Sequence, residues 1–177
     1  MGRSRYRIYD PRYPYFLTCT AVSWLPLFAD PHAAEIVLES LRFMQREREL
    51  RLYAYVLMEN HLHLVARSDR LDELMAQFKS YTARRMVDSW LARGRAGLLE
   101  QLGSAKAQHK ADRDYQVWQE GLHPEGIQGA DMMRQKADYV HQNPVKAGFC
   151  FEAEGYPYSS AVDYTGGMGR LPVTVLF

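Results

Sequence analysis

The chain contains very little cysteine, and this scarcity excludes several kinds of site. Only Cys19 and Cys150 are present, so a disulfide framework and a four-cysteine zinc site are both excluded. No apolar stretch approaches the roughly 20 residues that span a bilayer, and residues 1–7 lack the apolar core of a secretory signal. We therefore expect a protein of a reducing, cytoplasmic setting that has no membrane partner.

A strong charge of one sign is also missing, since the formal net charge is +1. Hydrophobic residues make up 47% and charged residues 24% of the 177 positions, which is typical of a soluble globular protein. The length predicts one domain with a core of its own. We interpret 1–177 as this domain, with a basic N-terminal arm (1–14) and a flexible, glycine-containing C-terminal tail (165–177).

Positive charge is nevertheless concentrated in two segments. Arginines alternate with tyrosines in the N-terminal arm, and five cations accompany a single acid between residues 79 and 95. Basic clusters with interleaved aromatic rings are typical of single-stranded nucleic-acid binding. A solvated helix face and a frayed terminus would give the same pattern, so both interpretations stay open. The candidate DNA contacts are Arg3, Arg5, Arg7, Arg12, Lys79, Arg84 and Arg85.

The hydrophobic patterns predict an α+β fold. Strands are predicted at 15–22, 52–58, 61–67 and 115–119. Helices are predicted at 31–49, 71–93 and 130–142, where the last is expected to stop before Pro144. This order indicates an antiparallel sheet of four to five strands with helices packed on one face, which leaves the other face open. We interpret the three tryptophans as core residues: Trp24, Trp90 and Trp118.

Two histidines separated by one leucine lie in the predicted strand 61–67. Successive side chains of a strand point to opposite faces, so His61 and His63 share a face about 6–7 Å apart. At this spacing two imidazoles can converge on one cation, while Leu62 and Leu64 anchor the strand to the core. An ordinary hydrogen-bonded histidine pair is the alternative interpretation.

The last predicted helix contains a tyrosine that lies off its apolar stripe. That stripe consists of Met133, Ala137 and Val140. Tyr139 instead has Lys136 one turn before it and Asn143 one turn after it. A phenol has an ordinary pKa of about 10, but it can attack a phosphodiester if a metal neutralises the phosphate and a cation favours phenolate. Lys136 is the candidate cation, although a partly exposed surface tyrosine explains the pattern too.

These residues together suggest a metal site. His61, His63 and Asn143 would form a mixed nitrogen and oxygen ligand set with positions open for water and phosphate, which favours Mg²⁺ or Mn²⁺. Tyr81 also lies among cations and is the rival nucleophile. His141 has no catalytic partner at a suitable spacing, and we interpret it as structural.

Two strings, in this order, carry a family resemblance. YVLMENHLHLV at 55–65 resembles the His-hydrophobic-His motif of the single-tyrosine transposases of the HUH superfamily, and DYVHQNPVKAGF at 138–149 resembles their tyrosine segment. The strings at 117–121 and 156–160 match the flanking regions, and the overall pattern is most similar to the REP-associated tyrosine transposases. Glu59 departs from the proline that relatives commonly have there, which changes the turn and not a ligand.

The resemblance implies a ferredoxin-like sheet and metal-dependent cleavage and strand transfer of single-stranded DNA at hairpins of bacterial palindromic repeats. Tyr139 rather than Tyr81 would form a 5′-phosphotyrosine link, and His61, His63 and Asn143 would bind the Mg²⁺ or Mn²⁺ ion. The expected setting is the bacterial cytoplasm, the partner single-stranded or hairpin DNA, and the assembly a monomer or homodimer. The alternative is a non-catalytic hairpin-DNA-binding module derived from a transposase.

Overall fold

An antiparallel sheet of four strands lies at the centre of the computed structural model, which describes residues 8–106 and 114–177. The strands are β1 (Tyr15–Thr20), β2 (Arg51–Leu57), β3 (His61–Arg67) and β4 (Glu125–Gly126). Their order across the sheet is β2-β3-β1-β4. The central pair is β1 and β3. In the register of this pair, Thr18 lies opposite His63 and Thr20 lies opposite His61.

The helices are α1 (Pro31–Glu47), α2 (Leu71–Ala92), α3 (Ala96–Ser104) and α4 (Ala130–Lys146). Helix α1 begins at Pro31 because the Asp30 carboxylate accepts a hydrogen bond from the His32 amide at 3.1 Å and proline suits the first helical position. None of the helices in the two described ranges is long and apolar enough to cross a membrane. The predicted α+β class is confirmed, and β1 and β3 are central, as in a ferredoxin-like fold.

Helices α1 and α2 cover one face of the sheet. Leu62 and Leu64 of β3 are fully buried there, in one core with Leu38 of α1 and Phe78 of α2. The alternation of β3 therefore directs its leucines into this core and its histidines away from it.

The opposite face, predicted to be open, is partly covered by α4. The predicted stripe of Met133, Ala137 and Val140 is buried against Ala54 and Val65 of the sheet. All the residues of β2 after its first are buried, which is the pattern of a strand covered on both faces. The histidines consequently lie beside α4 rather than on a bare sheet.

Two predicted boundaries are wrong. Segment 115–119 forms a single bridge, between Trp118 and Ala21, because only the amides of Val22 and Gln119 pair across this edge before the chain turns away. The paired strand is β4 instead. Helix α4 does not stop at 142 but continues to Lys146: Pro144 falls in its last turn, where the proline is buried and its carbonyl accepts from the Phe149 amide at 2.9 Å.

The segment predicted as a flexible tail (165–177) is attached to the domain in its second half. Leu171 is fully buried in the main core. The Thr174 amide donates to the Leu52 carbonyl at 2.8 Å, and Arg170 forms an ion pair with Glu35 at 2.6 Å. This segment therefore covers part of the outer edge of β2, which would otherwise expose unpaired backbone groups.

Candidate active site

The two histidines of β3 lie side by side, with ring centroids 4.6 Å apart. Nδ1 of His61 donates to the Oδ1 atom of Asn60 at 2.7 Å, and Nδ1 of His63 shares a hydrogen bond of 2.9 Å with Oγ1 of Thr18. Ligating histidines are commonly oriented in this way, with one ring nitrogen held by a protein neighbour and the other left for the metal. The arrangement suits coordination through both Nε2 atoms.

Burial favours the neutral form of both imidazoles. Burial lowers the pKa of His61. Burial, and then the charge of His61, lower the pKa of His63 to about 3. Neutral imidazole is the form that ligates a cation, so the site does not have to release a proton from either ring before it binds one.

Helix α4 brings Tyr139 to this pair. The ring of Tyr139 lies 5.4 Å from that of His63, inclined at 64°, and contacts Phe16 of β1 edge-on at 5.6 Å. The tyrosine side chain is 45% exposed, so it is open to a ligand from solvent. One turn further along α4, the side chain of Asn143 lies next to His61 and acts to raise its pKa, against the larger effect of burial. The four residues proposed for the site therefore meet at one place.

Tyr81, the rival nucleophile, lies elsewhere. It belongs to α2, on the other side of the sheet, and lines a groove with Phe43 and Met44 of α1. The guanidinium carbon of Arg85 lies 6.0 Å from its ring centroid. Tyr139, and not Tyr81, is therefore the tyrosine that lies next to the histidines.

The cation beside Tyr139 is different from the expected one. Nζ of Lys136 is paired with Glu125 at 2.6 Å and lies 4.9 Å from the ring centroid of Phe16. Lys146 places its Nζ 5.8 Å from the centroid of Tyr139 instead. The sequence analysis missed Lys146 because it ended the helix at 142, whereas a helix that continues through Pro144 places Lys146 two turns after the tyrosine.

Four of the remaining predicted DNA contacts lie within the described residues. Arg12 pairs with Asp10 at 2.7 Å, and Nζ of Lys79 donates to the carbonyls of Gln119 and Gly121 at 2.6 and 2.8 Å. Two further cations belong to α2, on the face away from Tyr139: Arg84 and Arg85. Three lie outside the described residues: Arg3, Arg5 and Arg7.

The interpretation of Trp24 as a core residue is wrong. Trp90 and Trp118 are buried as predicted, but Trp24 is 58% exposed, and its ring lies 5.9 Å from that of His61. The sequence analysis also missed Thr18 and Phe16. The alternation of β1 places them on one face, yet the register that sets them against His63 and Val65 comes from pairing with a strand more than 40 residues away.

The donors around the histidines fit a divalent cation. Within residues 8–106 and 114–177, no three His, Cys, Asp or Glu side chains are grouped to hold a metal. A cation at His61 and His63 would therefore take a third protein ligand of another type, and the Asn143 amide oxygen is adjacent. Imidazole suits the later transition metals and amide oxygen suits Mg²⁺ and Mn²⁺, so the set is compatible with either group.

Solved structures similar to this chain include a REP-associated tyrosine transposase bound to a REP hairpin. The likeness has a TM-score of 0.62 at 18% sequence identity and covers 100% of this chain and 94% of that chain. A candidate transposase from Deinococcus radiodurans R1 has a TM-score of 0.44 at 17% identity, over 81% of this chain and 97% of that chain. Comparison with family models and with curated proteins gives no match. The chain has the fold of a REP-associated tyrosine transposase, as the resemblance of its two motifs implied.

Proposed function

We propose that this protein is a metal-dependent endonuclease and strand transferase that acts on single-stranded DNA beside a hairpin. The observation that carries the proposal is the approach of Tyr139 to His63, with ring centroids 5.4 Å apart. The proposed nucleophile, whose side chain is 45% exposed, then lies beside two neutral imidazoles whose Nε2 atoms can bind a metal ion. Phosphodiester cleavage needs this combination of nucleophile and electrophilic support.

In the proposed reaction, Oη of Tyr139 attacks the phosphorus atom of a phosphodiester. The bond from phosphorus to the 3′ oxygen breaks, the phenol loses its proton, and the 3′ oxygen leaves as a hydroxyl after taking up a proton. The product is a 5′-phosphotyrosine link, which a free 3′-hydroxyl can attack in the reverse sense to complete strand transfer. Lys146 supplies positive charge beside the phenol as that oxygen becomes negative.

His61, His63 and Asn143 would hold the divalent ion, for which we propose Mg²⁺ or Mn²⁺. Bound there, the ion would offset the charge of the phosphate oxygens during attack. The chain's own contribution is orientation: Asn60 and Thr18 fix the two imidazoles, and α4 holds Tyr139 and Asn143 one turn apart.

Hairpin DNA is the proposed partner. The support is the fold shared over the whole chain with a transposase that was solved bound to a REP hairpin. The single-stranded portion of the substrate would enter beside Tyr139, and the basic residues of the arm and of α2 would contact phosphates. The bacterial cytoplasmic location and the choice between monomer and homodimer stay predictions.

The test uses an end-labelled DNA hairpin with single-stranded flanks, incubated with the protein and Mg²⁺ or Mn²⁺. We expect a covalent protein–DNA adduct that survives denaturing gels. The adduct should not form when EDTA is present from the start, and it should be absent for Tyr139→Phe. Hairpin binding without an adduct under either metal would instead favour the non-catalytic module. Panels of hairpins drawn from bacterial palindromic repeats serve as substrates, with a scrambled duplex as the control.

A further inference from the structure

The turn that follows β1 has an unusual backbone. Ser23 and Trp24, neither of them glycine, both adopt the left-handed region, with φ of 51° and 56°. A bulky side chain there is a genuine outlier, and such strain persists only where the surroundings over-determine it. Here the preceding residues are fixed: the Ala21 amide donates to the Asn60 carbonyl at 2.8 Å, and the Val22 amide donates to the Val117 carbonyl at 2.7 Å.

This strained turn holds an indole out in solvent. Trp24 is 58% exposed, whereas Trp90 and Trp118 are buried and donate their indole N–H groups to Asp30 at 3.1 Å and Thr82 at 3.0 Å. Burial of a large aromatic ring is favourable. An exposed ring on a strained backbone therefore loses the free energy of burial and also bears the cost of the left-handed conformation. Local strain of this kind points to a binding role rather than a packing role.

The position of Trp24 indicates what it binds. Four rings follow one another across the site: Trp24 to His61 at 5.9 Å, His61 to His63 at 4.6 Å, and His63 to Tyr139 at 5.4 Å. Trp24 is therefore at the end of the histidine pair that lies away from the nucleophile. Its ring meets His61 at 69°, which is an edge-to-face contact, so at least one face of the indole is not used by the histidine.

We propose that Trp24 is a stacking platform for an unpaired nucleobase next to the phosphate that Tyr139 attacks. This inference rests on the proposed function and adds to it the residue that holds an unpaired base beside the cleaved phosphate. Exposed aromatic rings bind single strands by stacking, which tolerates any base because every base has a π-face. A base inside a hairpin stem is already stacked between its neighbours and does not offer its faces.

Fluorescence gives a direct test, because Trp24 is the exposed one of the three tryptophans. Binding is measured in EDTA with Tyr139→Phe protein, so that no cleavage occurs. We expect a single-stranded flank to quench the tryptophan emission at saturation, and Trp24→Phe to abolish that quenching. Trp24→Ala should weaken binding about 5- to 100-fold, as expected for loss of one stacked base, with partial rescue in Trp24→Phe. Phe43→Ala, which removes an exposed ring from the other side of the sheet, is the matched control.

Substrates that lack one base at a time identify the stacked nucleotide. Removing that base should weaken binding to the protein with Trp24 and leave binding to Trp24→Ala unchanged. Equal losses in both proteins at every position, or emission unaffected by saturating DNA, would overturn the platform. The adduct assay separates the two proposals. If the adduct forms but Trp24→Ala binds DNA as tightly as the protein with Trp24, only the platform is rejected. If quenching depends on Trp24 but no adduct forms, the cleavage proposal is rejected and Trp24 is retained as a base-stacking residue.

Discussion

Nζ of Lys146 lies 5.8 Å from the ring centroid of Tyr139. The two residues are seven positions apart on α4, so both face the same side of the helix two turns from each other. The lysine that precedes the tyrosine by one turn, Lys136, is occupied by Glu125. A positive charge near the ring of Tyr139 is therefore supplied from the C-terminal end of the helix.

Loss of this charge should slow cleavage. We expect Lys146→Gln to reduce single-turnover adduct formation about 10- to 100-fold, since a nearby cation stabilises negative charge that develops on the phenol oxygen during attack. Lys146→Arg should keep most of the rate, and Lys136→Gln should have a smaller effect. Equal losses for both glutamine variants would argue against a special role for Lys146.

The hydrogen bond between Thr18 and His63 should matter for metal activation. Thr18→Val keeps the shape of the side chain but removes the hydroxyl that orients Nδ1 of His63. Loss of such a partner commonly costs about 10- to 100-fold in metal affinity, so more Mn²⁺ should be needed for half-maximal adduct formation. Thr18→Ser should restore the wild-type metal dependence. Thr20→Val, on the same strand opposite His61, controls for the loss of a hydroxyl from this face.

Stability should fall on acidification of the metal-free protein. Burial lowers the pKa of His141 to about 4, and this buried ring hydrogen-bonds with Ser160 Oγ at 2.9 Å. The unfolded chain, with a histidine pKa of about 6.5, binds the proton first. The free energy of unfolding is therefore highest above pH 6.5. It decreases as the pH falls towards 4, by roughly 3 kcal/mol for this group.

Urea unfolding in EDTA at pH 7, 5.5 and 4 measures this slope. His141→Gln should lower the free energy of unfolding at pH 7 and flatten its dependence between pH 6.5 and 4. His63, whose pKa is lowered to about 3, contributes to the remaining slope. An unchanged slope in His141→Gln would show that His141 takes up its proton equally in both states.

The C-terminal segment should contribute to stability. Leu171 is fully buried in the main core, so Leu171→Ala should cost about 2–5 kcal/mol, as other large-to-small core changes do. Met168→Ala, three residues earlier at a site that is 92% exposed, should leave the unfolding free energy within about 0.5 kcal/mol of wild type. Equal stability of the two variants would mean that the segment is not docked in solution.

The parts of the site that follow from local periodicity could be predicted from the sequence. Alternation along β3 places His61 and His63 on one face, and helical spacing places Asn143 one turn after Tyr139. The meeting of these two elements was proposed from the chemistry of their side chains and supported by the motif resemblance, because no local pattern specifies that α4 crosses the histidine face. The unbroken run of apolar and aromatic residues at 52–58 is a sequence signal for that second layer.

The missed features depend on pairings between distant segments. Thr18 reaches His63 through the register of β1 and β3, and Trp24 is held outward by backbone bonds from Ala21 to Asn60 and from Val22 to Val117. Propensity alone favours a buried tryptophan, and it cannot anticipate two left-handed residues in a row. Lys146, and not the predicted Lys136, is the lysine near the Tyr139 ring for a similar reason: the helix continues past its proline.

The most direct test of the account is identification of the residue that carries the DNA. The protein is incubated with a hairpin substrate and Mn²⁺, the covalent complex is isolated and digested with protease and nuclease, and the modified peptide is sequenced by mass spectrometry. We predict a nucleotide 5′-phosphate on Tyr139, in the peptide that contains Asn143. A nucleotide on Tyr81 or on any other side chain would contradict the assignment of the active site.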